Sequence, residues 1–243
     1  NLVVPLGVSF TTFTVLWISA TRAKFIWLLA PLILFDLGFF AKKTLTFTEK
    51  GFIFPPVQLT SFLQSTVGFD RIGAEKASNI ESNLTLYYGL STAEGYDALY
   101  PRRIGELIWA AQDGKFVTGF SRSTVVVPQF ENQLNPRIMH LLSLKYILSR
   151  NDDLVPPTDT FTPLWYDNGW QIYANQLALP RASLFGAYQV IPDSKTAIET
   201  LLASDFDYRN MLVLSQSPPL EPQPDPAATA TIAAYSSQRV TIT

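Results

Sequence analysis

Hydrophobic positions dominate the first forty residues of the chain. Residues 1–21 contain no charged side chain, and residues 25–41 contain one, Asp36. A helix needs about 20 apolar residues to cross the hydrocarbon core of a bilayer, and both runs are close to that length. The pattern predicts a transmembrane helical hairpin over residues 1–43. Basic residues bound its two runs at Arg22, Lys24, Lys42 and Lys43.

The basic turn at residues 22–24 also predicts an orientation. Cytoplasmic loops of membrane proteins carry an excess of Lys and Arg, so we expect this turn inside and residues 44–243 on the outer face. Lys42 and Lys43 argue against that orientation, because they then lie outside. Asp36 costs about 2.5 kcal/mol or more within a bilayer, which indicates packing against further helices. A hairpin buried in a soluble core is the alternative, and a signal peptide fits poorly because no basic segment precedes the first run.

After the hairpin, helical spacing and strand-like alternation follow each other in an irregular order. That order predicts an α+β domain over residues 44–243. Helices are predicted at 56–66, 100–112, from 135 and at 193–204, and strands at 68–74, 123–130, 145–149, 161–166, 170–175, 181–191, 210–215 and within 230–243. The strongest hairpin signal is Asp167-Asn168-Gly169, because these residues tolerate positive φ between two aromatic-rich arms.

Charge and composition exclude several classes of function. Residues 44–243 hold 14 of the 18 basic and 19 of the 20 acidic residues, a net charge of −5, whereas nucleic-acid-binding surfaces are basic. Nucleic acid is therefore not an expected partner. The chain has no cysteine and a single histidine, His140, so we expect no metal site and no cofactor. We interpret His140 as a helix-end or boundary residue.

Residues 95–107, GYDALYPRRIGEL, are the best candidate for contact with a substrate. Tyr96 can stack on a sugar ring, Asp97 can accept hydrogen bonds, and Arg102 and Arg103 offer forked guanidinium groups that suit a phosphate. The alternative is architectural: Asp97 caps a helix, Arg102 pairs with Glu106 at i, i+4, and Tyr96 packs in the core. The pattern favours the architectural alternative.

Arg181 follows Pro180 at the start of a strand-like run with apolar neighbours on both sides. An unpaired buried guanidinium is very costly. We therefore predict that Arg181 is partly buried and paired with an acid or with backbone carbonyls.

Five motifs occur in order after an apolar run that ends in LILFDLGFF. They are AEGYDALYPRRIGEL, LLSLKYILS, WQIYANQLALPRASLF, DFDYRNMLVLSQSPP and ATIAAYSSQRVTIT. With these five motifs in this order, the chain resembles the C-terminal portion of the YfhO-type bacterial membrane proteins. That family is similar to polytopic glycosyltransferases that take sugars from polyprenyl-phosphate carriers at the outer face of the membrane, for glycosylation of the cell envelope.

The resemblance implies a fragment of a larger protein, truncated at both ends, whose catalytic acid lies in an early outer loop beyond this chain. Residues 44–243 then supply an outer accessory domain next to the bilayer and a polyprenyl-phosphate sugar. Whether the whole protein is an enzyme stays open. The alternative function is a non-catalytic, membrane-anchored domain that binds an envelope polymer or a partner protein.

Overall fold

The computed structural model describes residues 3–45, 48–74, 80, 83–96, 100–119, 135–150, 156, 159–223, 225 and 227–243. The chain divides into two compact units, residues 1–55 and residues 56–243. The architecture is mixed α+β, with two apolar helices at the N-terminus followed by a sheet-containing domain.

The first unit contains the two helices predicted from the apolar runs. Helix α1 spans Val3–Thr21 and helix α2 spans Leu29–Thr44, and the two helices contact each other. Arg22 separates α1 from a 3₁₀ segment, Ala23–Leu28, that leads directly into α2. The second run was predicted to be helical from residue 25, and it begins with this tighter helix.

The apolar side chains of this unit lie almost entirely on its surface. Val15 is the one buried residue in α1, and α2 has none. Among the described residues, Val3–Thr21 and Ala23–Thr44 are each long and apolar enough to cross a membrane. These properties are compatible with a membrane anchor, and equally with a signal sequence or a helix buried in a larger core.

The second unit contains the remaining regular elements. The helices are α3 (Gln58–Thr66), α4 (Arg102–Asp113), α5 (Asn135–Leu141) and α6 (Ser194–Leu202). The strands are β1 (Arg71–Ala74), β2 (Ser91–Thr92), β3 (Leu144–Arg150), β4 (Phe161–Asp167), β5 (Trp170–Asn175), β6 (Ala187–Val190), β7 (Met211–Leu214), β8 (Ile232–Tyr235) and β9 (Val240–Ile242). Short 3₁₀ turns occur at Leu84–Leu86 and, in the first unit, at Lys50–Phe52.

A five-stranded mixed sheet in the order β2-β1-β3-β5-β4 forms the centre of the domain. Strand β1 is parallel to both β2 and β3, whereas β5 is antiparallel to β3 and β4. The β4–β5 hairpin confirms the prediction from Asp167-Asn168-Gly169. Asn168 and Gly169 both have positive φ, 50° and 79°, which is the backbone that a two-residue hairpin turn requires.

Helices cover both faces of this sheet. On one face α4, α5 and α6 supply buried residues that pack on Ile147, Phe161 and Tyr173. On the other face α3 packs on Tyr146, Leu148 and Ile172 through Leu59 and Leu63. Consecutive residues of β3 and β5 thus point to opposite cores, as the period of two in a strand requires.

Two smaller strand pairs complete the domain. Strands β6 and β7 are parallel, and α6 lies between them in sequence, because parallel neighbours need a long crossover connection. Asp193 caps α6 by accepting a hydrogen bond from the Thr196 amide at 2.8 Å, at the start of the helix predicted over 193–204. Strands β8 and β9 form an antiparallel hairpin, which confirms the two arms predicted at the C-terminal end.

Some predicted boundaries are wrong. The strand predicted at 181–191 is limited to Ala187–Val190, because those four residues are the ones that pair with β7. The helix predicted at 100–112 begins at Arg102, because Pro101 has an extended ψ of 125° and precedes the helix. The strand predicted at 123–130 lies outside the described residues.

Candidate functional site

Two arginines that are 110 positions apart in sequence meet beside the sheet. Arg71 begins β1, and Arg181 lies in the segment between β5 and β6. Both side chains are half-buried, and both line the same two cavities. We call Arg71 and Arg181 the arginine pair.

Backbone carbonyls and one tyrosine hold the arginine pair in place. Arg71 Nη1 donates to the Leu142 carbonyl at 2.9 Å, and Arg181 Nη1 donates to the Phe69 carbonyl at 2.9 Å. The Arg181 guanidinium also stacks on the Tyr235 ring at 4.9 Å from the ring centroid, with Nη2 3.4 Å from the hydroxyl. This confirms the prediction that Arg181 is partly buried and paired with carbonyls.

The arginine pair concentrates positive charge in a partly desolvated place. Burial lowers the pKa of Arg71, and the charge of Arg181 lowers it further. The hydrogen bond from Arg181 lowers the pKa of the Tyr235 phenol. Among the described residues, no carboxylate forms an ion pair with either arginine, and the neighbouring Asp70 pairs with Lys145 at 2.8 Å. The positive charge is therefore available to a ligand.

The larger of the two shared cavities has a volume of about 480 Å³. It combines the arginine pair with hydroxyl groups and an apolar wall. Its described lining residues are Arg71, Leu141, Ser143, Leu179, Pro180, Arg181, Ser183, Phe185, Leu201, Tyr208, Met211, Leu212 and Val213. We call this space the large cavity. Ligand pockets in proteins commonly have volumes of roughly 300–1,000 Å³, so its size is suited to a small molecule.

The smaller shared cavity has a volume of about 190 Å³. Its lining includes Glu94, Tyr235 and Asn83. A third cavity of about 290 Å³ also reaches Arg71 and is lined by Gly95 and Tyr100 from the segment singled out in the sequence.

Ser143 gives the large cavity an unusual backbone. Its φ is 58°, in the left-handed region that residues other than glycine and asparagine seldom adopt. Ser143 forms the turn between α5 and β3, next to the Leu142 carbonyl that accepts from Arg71. Residues held in such conformations cluster at ligand-binding sites, so this strain supports a functional role for the cavity wall.

The predicted site residues do not converge on the arginine pair. Arg102 donates to Glu106 at 2.6 Å, and the Glu106 side chain is almost fully buried, as the architectural alternative predicts. Arg103 lines a separate groove of about 190 Å³ between α4 and α6. Asp97 lies outside the described residues. The substrate-binding role of these residues stays a prediction.

Tyr96 is 64% exposed, so the prediction that it packs in the core is wrong. Asn83 accounts for its position: the Asn83 side chain donates to the Tyr96 carbonyl at 3.0 Å and accepts from the Tyr96 amide at 3.4 Å. These bonds fix the backbone at Tyr96 and leave its ring on the surface, where it can still contact a ligand or a partner.

His140 lies in the last turn of α5, as predicted, and is buried. Its Nδ1 is 2.9 Å from the Tyr208 hydroxyl. Burial lowers the pKa of His140 to about 4, with further lowering by the charges of Arg209 and Arg137. His140 is therefore neutral at pH 7, and its contacts are those of a core residue.

Within the described ranges, no group of three or more acidic or histidine side chains could hold a metal ion. Comparison with models of known protein families, with curated proteins and with solved structures finds no significant match to this chain. The sequence did not single out Arg71, because it directly follows Asp70 and the two look like an ordinary pair of charged residues at the start of a strand.

Proposed function

We propose that this chain is a membrane-anchored protein whose N-terminal helices hold a ligand-binding α+β domain at the outer face of a membrane. The observation that carries the proposal is the exposure of the apolar side chains of α1 and α2, in a chain whose second unit forms a core of its own. A surface of this size and composition is unfavourable in water and favourable in lipid.

Threonine hydroxyls in α1 support the same proposal. Thr11, Thr12 and Thr14 each donate to the carbonyl four residues earlier, at 2.8, 2.8 and 2.9 Å. A hydroxyl that is bonded within its own helix can enter hydrocarbon without leaving a polar group unsatisfied. These three hydroxyls can therefore face lipid with their hydrogen bonds satisfied.

Membrane extraction tests the anchor. The chain expressed in bacteria is expected to stay with the membrane pellet at alkaline pH and to be released by detergent. A version without residues 1–45 is the matched control and is expected in the soluble fraction. Release of the whole chain at alkaline pH would refute the anchor.

Protease treatment tests the outer location of residues 44–243. In intact spheroplasts the domain is expected to be digested, whereas in inverted vesicles it is expected to be protected. The opposite pattern would refute the orientation derived from the basic turn and would place the domain in the cytoplasm.

Ligand binding is favoured over catalysis as the domain's own role. The described side chains around the large cavity supply positive charge and hydroxyl groups, and His140 is buried against Tyr208. This corresponds to the non-catalytic alternative derived from the sequence. An envelope polymer or a partner protein is the kind of ligand that we propose.

The resemblance to YfhO-type proteins supports a second candidate, an accessory domain of a membrane glycosyltransferase that uses polyprenyl-phosphate-linked sugars. The position of Arg103 on a groove favours this candidate. In a longer protein that includes this chain, Arg103→Ala is expected to reduce glycosyl transfer at unchanged levels of folded protein. Unchanged transfer would refute a substrate contact at Arg103.

A further inference from the structure

We infer that the large cavity is a binding site for a phosphate-type oxyanion, held between Arg71 and Arg181. This inference goes beyond the proposed function, because it holds whether or not the helices cross a membrane. It assigns both the site and the chemical class of the ligand.

The arginine pair has hydrogen-bond donors to spare. A guanidinium offers five N–H donors in a planar fork. In the described part of the chain, Arg71 uses Nη1 to bond Leu142, and Arg181 uses Nη1 and Nη2 to bond Phe69 and Tyr235. The remaining donors belong to side chains that line the cavity. A ligand with several acceptor oxygens can satisfy them.

The charge of the site also favours an anion in the large cavity, because Glu94 shares the two smaller cavities with Arg71 but does not line the large one. Two guanidinium groups share one partly buried place, and the nearest acid along the chain, Asp70, is occupied by Lys145. Like charges that are brought together away from water repel each other strongly. An anion between them would offset this repulsion and the lost hydration.

The choice between the two shared cavities follows from Glu94. This carboxylate lines the small cavity and would repel an anion there. The described lining of the large cavity contains no acidic residue. It adds the Ser183 hydroxyl to the arginine pair, whereas Ser143 already donates to the Pro180 carbonyl and the Tyr208 hydroxyl is bonded to His140.

A phosphate group fits this set of donors better than a carboxylate. A carboxylate has two oxygens, whereas a phosphate has up to four and can carry two negative charges near neutral pH, which matches two arginines. The apolar wall at Leu179, Phe185 and Met211 leaves room for the rest of the molecule. The ligand of this cavity is therefore a phosphate ester, either a soluble one or the headgroup of a lipid, and is distinct from the envelope polymer or partner protein proposed for the domain as a whole.

Titration calorimetry on the whole chain in a maltoside detergent and phosphate-free buffer tests the site. Inorganic phosphate is the first probe, and acetate at the same concentration is the probe for a carboxylate. We expect measurable binding of phosphate and clearly weaker binding of acetate. Equal or tighter binding of acetate would overturn the assignment to phosphate.

Variants connect the binding to the arginine pair. Arg181→Gln is expected to weaken phosphate binding roughly tenfold or more, the loss that corresponds to one charged hydrogen bond. Arg239→Gln is the matched control, because it removes the same charge from an exposed turn between β8 and β9. Phosphate affinity that is unchanged in Arg181→Gln, or reduced equally in Arg239→Gln, would overturn the proposal.

Two further variants keep the test decisive. If Arg181→Gln does not fold, Arg181→Lys keeps the charge and removes the fork, and unchanged phosphate affinity in that variant would overturn the proposal. Arg103→Gln changes the separate groove between α4 and α6. A tenfold loss of phosphate affinity in that variant, with no loss in Arg181→Gln, would assign the anion to that groove and overturn the proposal.

A short-chain phosphatidic acid distinguishes the two sources of the phosphate. If phosphatidic acid binds more tightly than inorganic phosphate, and Arg181→Gln loses the binding of both, the ligand is the headgroup of a lipid. Binding no tighter than that of inorganic phosphate assigns a soluble phosphate ester. The proposal would be overturned if the protein does not bind inorganic phosphate and if Arg181→Gln binds phosphatidic acid as tightly as the unaltered protein does.

Discussion

Phe13 in α1 and Phe161 in β4 are the same side chain in opposite surroundings. Phe13 is 71% exposed, whereas Phe161 is fully buried in the core formed with α4, α5 and α6. The difference extends to the two regions as a whole. The sheet domain has an apolar core that is buried against its own helices, whereas the N-terminal helices leave almost all of their apolar residues on the surface. Apolar content alone therefore does not decide burial, since a core also needs facing elements of the same chain.

The first prediction tests whether these two phenylalanines differ in energy as they do in exposure. Phe161→Ala is expected to lower the free energy of unfolding by about 3–5 kcal/mol, because it leaves a cavity in a packed core. Phe13→Ala is the matched control and should change this free energy by less than about 0.5 kcal/mol. Denaturant titration in detergent measures both. Equal losses would show that Phe13 belongs to the folded core.

A charge introduced into α2 tests whether lipid surrounds the exposed apolar residues of the N-terminal helices. Leu34 lies within α2 and is 72% exposed. If lipid surrounds it, Leu34→Arg raises the free energy of membrane insertion by about 2.5–3.5 kcal/mol. The inserted fraction of the helix in a translocation assay measures this cost. Leu220→Arg, at an exposed leucine in the proline-rich loop of the domain, is the control and should leave insertion unchanged.

The pH dependence of stability between pH 4 and 7 tests the sheet domain. Its single histidine is buried, and the N-terminal helices α1 and α2 contain no histidine. The pKa of His140 is about 4 in the folded protein, whereas an unperturbed histidine has a pKa of 6.5. Between these values the unfolded chain binds a proton that the folded chain does not, so stability falls as pH decreases from 6.5 to 4. The loss is expected to reach at most about 3 kcal/mol.

Chemical denaturation at several pH values between 4 and 7 measures this slope. His140→Gln removes the titrating group and should flatten the curve over that range. The carboxyl groups of Asp193 and Asp207, whose pKa values are lowered by hydrogen bonds to Thr196 and Asn210, contribute a loss at lower pH in both proteins. A slope that persists unchanged in His140→Gln would contradict the assignment.

The smallest expected effect concerns charge inside the domain. Arg102 is 70% exposed, but it bonds a Glu106 carboxylate that is 2% exposed. Arg102→Ala is expected to cost about 1–2 kcal/mol of stability, because it leaves a buried acceptor without this partner. Arg103→Ala, at the adjacent surface residue, is the control and should cost less than about 0.5 kcal/mol. A double-mutant cycle with Glu106→Gln isolates the pair, and no coupling would contradict the architectural role of Arg102.

Local signals in the sequence were sufficient for the elements that depend on neighbouring residues. The turn at Asn168 and Gly169 needs only two residues that tolerate positive φ, and the Asp193 cap needs only the first turn of α6. The two apolar helices were equally predictable, because their length and composition are contained in the runs themselves.

The candidate site could not be predicted in the same way. Arg71 and Arg181 meet because β1 pairs with β3 and because the segment after β5 returns to Phe69. Neither of these long-range contacts is indicated by a periodic pattern in the sequence. The sequence indicated that Arg181 is partly buried and paired. The structure shows in addition that Arg71 lies beside it, so that two cations line the same cavity.

The parallel pairing of β1 with β3 also affects the timing of folding. Ile72 pairs with Tyr146, whereas β4 and β5 pair across a turn of two residues. A ribosome adds about 5–20 residues per second, so β1 leaves it roughly 4–15 seconds before β3 is complete. During that interval the open edge of β1 lacks its long partner. The β4–β5 hairpin can close within microseconds of synthesis, so we expect the sheet to assemble from its C-terminal strands towards β1.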